Sequence, residues 1–153
     1  MRNTIWTLFV DGASRNNPGP AGAGIYIEKD SMLFVKEGYY LGLKTNNQAE
    51  YLALLLGLFI LQEHIHADDL VIIISDSKLL VEQIIGNYKV KNPHLQSLYA
   101  VCKRYLHNLN FSIKHVLRNH NISADEMANY GVDNKILPPK KYLTLLNNHD
   151  IIL

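Results

Sequence analysis

The uninterrupted apolar run Leu70–Ser75 (LVIIIS) restricts the possible folds more than any other part of the sequence. It has the length of a strand, and because polar residues do not alternate along it, both of its faces must be covered. A strand of this kind lies inside a sheet that has helices on each side. The sequence therefore predicts an α/β fold in which a central strand is followed directly by Asp76.

The residues before this run predict three strands and then a long helix. Residues 4–10, 21–28 and 32–41 are rich in β-branched and aromatic side chains, and turn-forming residues separate them. Apolar side chains then recur at helical spacing over residues 47–66, and Thr45 or Asn46 can cap the start. This order predicts an antiparallel meander followed by a helix.

The residues after the run continue the alternation of helices and strands. We predict helices over residues 77–85 and 93–109, a strand over 110–117, and a helix over 123–130 that opens with a capping box of Ser123 and Glu126. Hairpins combined with helical crossovers imply one five-stranded mixed sheet with helices on both faces. In this interpretation residues 1–137 form the domain, and residues 138–153 form a tail that can include a short docked helix.

Length and composition limit the class of protein. The 153 residues suit one domain, and no stretch approaches the roughly 20 apolar residues that a membrane helix needs. The single Cys102 cannot form an internal disulfide, so we expect a protein of the reducing cytoplasm, with a monomer as the default. A net charge of +1 gives no sign of nucleic-acid binding. Function has to be inferred from particular residues.

Four acidic residues stand where predicted elements end or begin. Asp11 and Asp76 each follow a predicted strand, while Glu50 and Asp125 lie in the first turns of predicted helices. Because ligand sites of α/β proteins form where strands end, these side chains can converge at one edge of the sheet. Each position also has a simpler explanation, since helix N-termini favour acidic residues and Asp before Gly or Ser is common in turns.

Four converging carboxylates without histidine or cysteine indicate a site for a hard cation. Oxygen ligands suit Mg²⁺, which neutralises their repulsion and accepts water and phosphate oxygens as further ligands. Two such ions about 4 Å apart can activate a water molecule and stabilise the leaving oxygen of a phosphodiester. The pattern therefore predicts phosphodiester hydrolysis with two Mg²⁺ ions in the site.

Four segments also resemble a known family. In order and spacing they are similar to the motif blocks of type 1 ribonucleases H: FVDGAS with NPGPAGAG (9–14 and 17–24), TNNQAE (45–50), SDS (75–77) and ADEMAN (124–129). The resemblance covers residues 4–133. It implies a ribonuclease H-like fold, metal-binding catalytic roles for Asp11, Glu50, Asp76 and Asp125, Mg²⁺ or Mn²⁺ as cofactor, and an RNA–DNA hybrid as substrate.

Polar residues near Asp11 and Glu50 are candidates for contact with the RNA strand. Amides and hydroxyls both donate and accept hydrogen bonds, which suits recognition of a 2′-hydroxyl. We therefore assign this role to Ser14, Asn16, Asn17, Asn46, Asn47 and Gln48, as the resemblance also implies. Asn-Pro-Gly-Pro is at the same time a strong turn sequence, and capping accounts for one of the three residues 46–48.

Two departures from the pattern of the family that the chain resembles affect the expected substrate contacts. A loop with a functional histidine is replaced by an Arg-x-x-Asn form, as in archaeal and plant-like members, so Arg118 is the candidate phosphate contact and His120 an exposed loop residue. The basic helix that serves other members as a handle is missing, because residues 86–93 pass directly between two predicted helices. Lys89 and Lys91 are the cations left in that connection.

Three functions are consistent with these features. The leading interpretation is an endoribonuclease that cuts the RNA strand of RNA–DNA hybrids. A different nuclease of the same fold is disfavoured by the TNNQAE segment. A non-catalytic nucleic-acid-binding module is disfavoured because all four acidic residues are present.

Overall fold

The computed structural model describes residues 3–153, which form one five-stranded mixed sheet flanked by helices. The strands are β1 (Ile5–Ser14), β2 (Gly19–Lys29), β3 (Met32–Lys44), β4 (Leu70–Ser75) and β5 (Asn110–His115), in the spatial order β3-β2-β1-β4-β5. The first three strands pair antiparallel, and β4 and β5 run parallel to β1. The predicted α/β fold, with its meander and its interior β4, is confirmed.

Helices lie on both faces of this sheet. Within residues 3–153 they are α1 (Asn46–Leu61), α2 (Lys78–Ile85), α3 (Pro93–His107), α4 (Ile122–Asn134) and α5 (Lys140–Asn148), with a single 3-10 turn at Arg118–His120. On one face, Gly57 of α1 contacts Leu8 and Val10 of β1. On the other, α4 lies against Gly22 and Gly24 of β2. No helix in this part of the chain is long and apolar enough to span a membrane.

α1 is apolar around its circumference, and its leucines from Leu52 to Leu58 are buried. A helix of this kind needs cover on every side. The sheet covers one side, α3 packs on another, and α5 adds a third contact. The fully buried Tyr142 of α5 donates its hydroxyl proton to the carbonyl oxygen of Leu52 at 2.8 Å. Residues 140–148 thus form a helix docked on α1, while the domain boundary at residue 138 stays a prediction.

β1 is longer than predicted, because it continues past Val10 to Ser14. Gly12 and Ala13 remain paired with β2, opposite Ala23 and Gly22. Such small side chains leave room for helices on both faces, so the ladder does not have to stop at the Asp-Gly sequence. Asp11 therefore lies inside β1, whereas the sequence predicted that it would follow the end of the strand.

Helix ends also differ from the prediction, and α4 continues to Asn134, past the predicted end at residue 130. α1 ends at Leu61 and not near residue 66. α4 begins at Ile122, so Ser123 is not its N-cap and the predicted capping box with Glu126 is wrong. The physical reason is that Asn121 occupies the N-cap position and is held there by a contact with β1 that local sequence does not reveal.

α4 can approach the sheet closely because the strands beneath it carry glycines, here called the glycine floor (Gly22, Gly24 and Gly38). A Cβ atom at Gly24 would overlap the carbonyl oxygen of Ala124, and one at Gly38 would overlap that of Met127. Helix backbone therefore lies directly on strand backbone. This contact determines how far Asp125, in the first turn of α4, stands from the sheet.

We expect Gly24→Ala to lower the free energy of unfolding by about 3 kcal/mol, because the added methyl group meets fixed backbone. Gly57→Ala is the matched control, since its methyl group meets the ends of the Leu8 and Val10 side chains, which can adjust. Alanine also favours a helix, so this control should cost about 1 kcal/mol or less. Equilibrium urea unfolding measures both; equal losses would contradict the glycine floor.

Candidate active site

Three acidic side chains from three different elements converge at the edge of the sheet where β1 and β4 end their pairing. One carboxylate oxygen from each of Asp11, Glu50 and Asp76 lies within 4.8 Å of the others. The parallel ladder ends with the pair Val10 and Ser75, so Asp11 and Asp76 follow it side by side. This convergence agrees with the expectation from the sequence.

Glu50 reaches the site from α1, in the second turn and not in the first as predicted, because the helix begins at Asn46. Its carboxylate accepts a hydrogen bond from the N–H of Gly12. A Cβ atom at Gly12 would overlap the backbone of Ala49, so only glycine lets α1 come this close. The start of α1 is fixed in turn by a capping box between Thr45 and Gln48.

Asp125 reaches the site from the opposite face, on α4. It interacts with Asp11 but lies outside the tight group of three. Asp11 is influenced by each of the other carboxylates, namely Glu50, Asp76 and Asp125. Asp11 is therefore the shared member of the cluster, since it interacts with all three of the others.

Burial and mutual repulsion make it unfavourable to hold these groups ionised without a counter-ion. Burial, followed by the charges of Glu50, Asp76 and Asp125, raises the pKa of Asp11 well above its ordinary value. Burial also raises the pKa of Glu50, although the N–H of Gly12 acts in the opposite direction. An all-oxygen donor set with such repulsion fits a hard divalent cation, which would stabilise the ionised forms.

The residues that we assigned to the RNA strand lie mostly in one connected group. The N–H of Ser14 donates to the side-chain oxygen of Asn46 at 3.0 Å, and the N–H of Asn46 donates to that of Asn17 at 3.0 Å. Asn16 and Asn47 are exposed. The side-chain oxygen of Gln48 is used in the capping box. The loop between β1 and β2 is thereby tied to the start of α1.

The connection that leads into α4 carries the other predicted contact. Arg118 and His120 lie in the exposed 3-10 turn between β5 and α4. His120 lines a cavity of about 270 Å³ together with Phe9 and Tyr26, on the sheet face that α4 also covers. Between α2 and α3, residues 86–92 form no helix, in agreement with the missing basic handle.

The comparisons with known proteins agree with this geometry. A family model described as Reverse transcriptase-like matches residues 9–131. RNase H1 from the halophilic archaeon Halobacterium salinarum has a crystal structure that is 32% identical, with a TM-score of 0.80, and the match covers 85% of this chain and 98% of that one. The chain belongs to the type 1 ribonuclease H family.

Two further members of the ribonuclease H family match this chain over very different shares of their own length. The bifunctional protein Rv2228c of Mycobacterium tuberculosis is 36% identical over 136 residues, which are 82% of this chain and 35% of that protein. This chain thus spans about a third of that relative's length. LC11-RNase H1, solved in complex with an RNA/DNA hybrid, is 34% identical with a TM-score of 0.79, and the match covers 86% of this chain and 98% of that one.

Two contacts of this ribonuclease H fold were not predicted from the sequence, although one of them involves Asn121, the asparagine of the Arg-x-x-Asn segment. Arg15 forms an ion pair with Asp133 of α4 at 2.6 Å, so the β1–β2 loop is tied to α4 as well as to α1. Asn121 is buried and bonds to the backbone of β1. No local pattern marks either contact, because each joins residues more than a hundred positions apart.

We expect Asp11→Asn to raise the melting temperature of the metal-free protein by roughly 3 °C or more at neutral pH, because it removes a carboxyl group that is unfavourable to ionise in the folded protein. A raised folded-state pKa means that the folded chain keeps protons that the unfolded chain releases above about pH 4. Stability should therefore fall as the pH rises from that value, and the advantage of the variant should grow. Melts in EDTA from pH 5 to 8 test this, with the exposed Asp68→Asn as the control.

Addition of Mg²⁺ should reverse the ranking, because an ion that binds only the folded wild type stabilises it. If Asp11→Asn melted below the wild type in EDTA at every pH, the carboxylates would not repel one another as described.

Proposed function

We propose that this chain is an endoribonuclease that hydrolyses the RNA strand of RNA–DNA hybrids, with two divalent cations, Mg²⁺ or Mn²⁺, held by Asp11, Glu50, Asp76 and Asp125. The observation that carries the proposal is the convergence of Asp11, Glu50 and Asp76 within 4.8 Å, with Asp125 beside Asp11. Family membership and the hybrid bound by LC11-RNase H1 support it. We further propose a monomer in the cytoplasm.

The four carboxylates have different proposed roles because they lie at different positions around the site. Asp11 interacts with each of the others and would be a ligand at the middle of the cation site, while Asp125 would add a ligand from the α4 side. The N–H of Gly12 holds Glu50 in one orientation. The bound ions would supply positive charge that favours attack by water on the phosphate and departure of the 3′-oxygen. The products are then a 5′-phosphate and a 3′-hydroxyl.

Recognition of RNA is assigned to the polar group beside these carboxylates. We propose that Ser14, Asn16, Asn17, Asn46, Asn47 and Gln48 contact the RNA strand, where amides and hydroxyls can bond to 2′-hydroxyls. The four asparagines of this group are all exposed. Hydrogen bonds from Ser14 to Asn46 and from Asn46 to Asn17 fix the shape of this surface before substrate binds. Binding therefore does not have to order these residues, which lowers its entropic cost.

The same fold also serves other nucleases, and degenerate members can bind nucleic acid without cleaving it. The complete set of carboxylates favours catalysis over binding alone, because a binding module gains nothing from buried groups that repel one another. The polar group next to Glu50 favours a substrate with 2′-hydroxyls over duplex DNA.

We expect cleavage of a hybrid that carries labelled RNA to require Mg²⁺ or Mn²⁺ and to leave 5′-phosphate ends, because water and not the 2′-hydroxyl is the nucleophile. Asp11→Asn should abolish this cleavage. Duplex DNA and duplex RNA of the same sequence serve as controls. A 2′,3′-cyclic phosphate product, or equal cleavage of duplex DNA, would contradict the proposal.

Arg118→Ala should reduce kcat/KM more than His120→Ala does, by about tenfold or more, because a guanidinium can bond to a phosphate with two N–H groups. Both residues lie in the same exposed turn, so each serves as the control for the other. Steady-state kinetics on one hybrid substrate compare them. If His120→Ala were the more damaging variant, the role in proton transfer would belong to His120.

A further inference from the structure

Asn121 joins the two elements that carry Asp11 and Asp125. Its side-chain N–H donates to the carbonyl oxygen of Val10 at 2.9 Å, and Val10 directly precedes Asp11. The backbone carbonyl oxygen of Asn121 accepts a hydrogen bond from the N–H of Asp125 at 3.1 Å. One residue therefore bonds to the strand next to the shared carboxylate and to the backbone of the carboxylate on the opposite side.

The side chain of Asn121 is buried, with 1% of its surface exposed. Asparagine at an N-cap ordinarily accepts a hydrogen bond from the first turn of its helix, which stabilises the helix. Asn121 makes no such bond, and its φ and ψ of −132° and 32° are not those of an ordinary cap. The side chain is instead directed to the sheet.

The side-chain oxygen of Asn121 has no hydrogen-bond partner among residues 3–153. A buried unpaired oxygen is destabilising, so the contribution of this residue to the fold alone is partly offset. Stability thus gives a weak reason for asparagine at this position, whereas the bond to Val10 gives a strong geometric one.

We propose that Asn121 is a positioning residue that sets the distance between Asp125 and Asp11. The glycine floor lets the backbone of α4 lie directly on the sheet, and it sets the height of the helix above the strands. The bond from Asn121 to Val10 fixes the position of the first turn along β1. The consequence for catalysis rests on the proposed function; the consequence for cation binding does not.

Asn121→Leu tests this, because it keeps the number and branching of the side-chain heavy atoms while it removes the N–H donor and the unpaired oxygen together. We expect kcat at saturating Mg²⁺ to fall about ten- to hundredfold, since small misplacements of catalytic groups have effects of this size. We also expect the rise in melting temperature on addition of Mg²⁺ to be less than half of that in the wild type. Asn121→Ala should behave in the same way.

Two control variants on α4 separate position from stability. Asn134→Ala removes a similar bond, from its side-chain N–H to the carbonyl oxygen of Tyr130 at 2.9 Å, but at the exposed far end of the helix. Val132→Ala removes buried volume near Gly22 and so lowers stability without loss of a link to β1. Both should keep kcat within about threefold of wild type, since neither residue touches the carboxylates.

The proposal is overturned if Asn121→Leu keeps the kcat and the Mg²⁺-induced melting shift of the wild type. It is also overturned if Val132→Ala, at equal loss of melting temperature, shows the same defects. A wild type that does not cleave hybrids would contradict the proposed function only. In that case the Mg²⁺-induced shifts of wild type and Asn121→Leu still decide whether Asn121 positions the carboxylates.

Discussion

Repulsion among closely placed carboxylates, two of them buried, is the constraint on which the rest of this structure depends. Asp11, Glu50 and Asp76 would separate if their backbones were free to move, since burial strengthens the interaction between like charges. They stay together because the ladder of β1 and β4 holds Asp11 and Asp76, while a backbone N–H holds Glu50. The sheet therefore holds the carboxylates close together, so that a divalent cation can bind among them.

Small residues around Asp11 explain how two helices reach one strand from opposite faces. Gly12, next to Asp11 in β1, lies against the backbone of α1. Gly24, paired with Asp11 across the sheet, lies against the backbone of α4. Each helix brings one acidic residue, so Glu50 and Asp125 arrive on either side of the shared carboxylate. Larger side chains at these two glycines would leave four separate acids.

The loop between β1 and β2 connects proposed recognition with proposed chemistry. Ser14 and Asn17 bond to Asn46 at the start of α1, and Arg15 pairs with Asp133 on α4. The ion pair is partly exposed and contributes little stability by itself. The ion pair matters because it attaches the β1–β2 loop to α4. The surface that we assign to the RNA strand is thereby attached to both helices that carry carboxylates. Substrate contacts and the cluster are therefore held in one frame.

Local pattern in the sequence was sufficient for the α/β class, for the order of the strands along the chain and for the expectation that acidic residues converge at one edge of the sheet, because periodicity and short motifs act over a few positions. The end of β1, the turn of α1 that carries Glu50, the start of α4 at Asn121 and the shared role of Asp11 were decided only in the tertiary structure. Each depends on a close approach between distant segments: α1 on Gly12, α4 on the glycine floor, and the side chain of Asn121 on Val10. Such contacts leave no periodic signal, since they are set by which backbones can touch after the chain has folded.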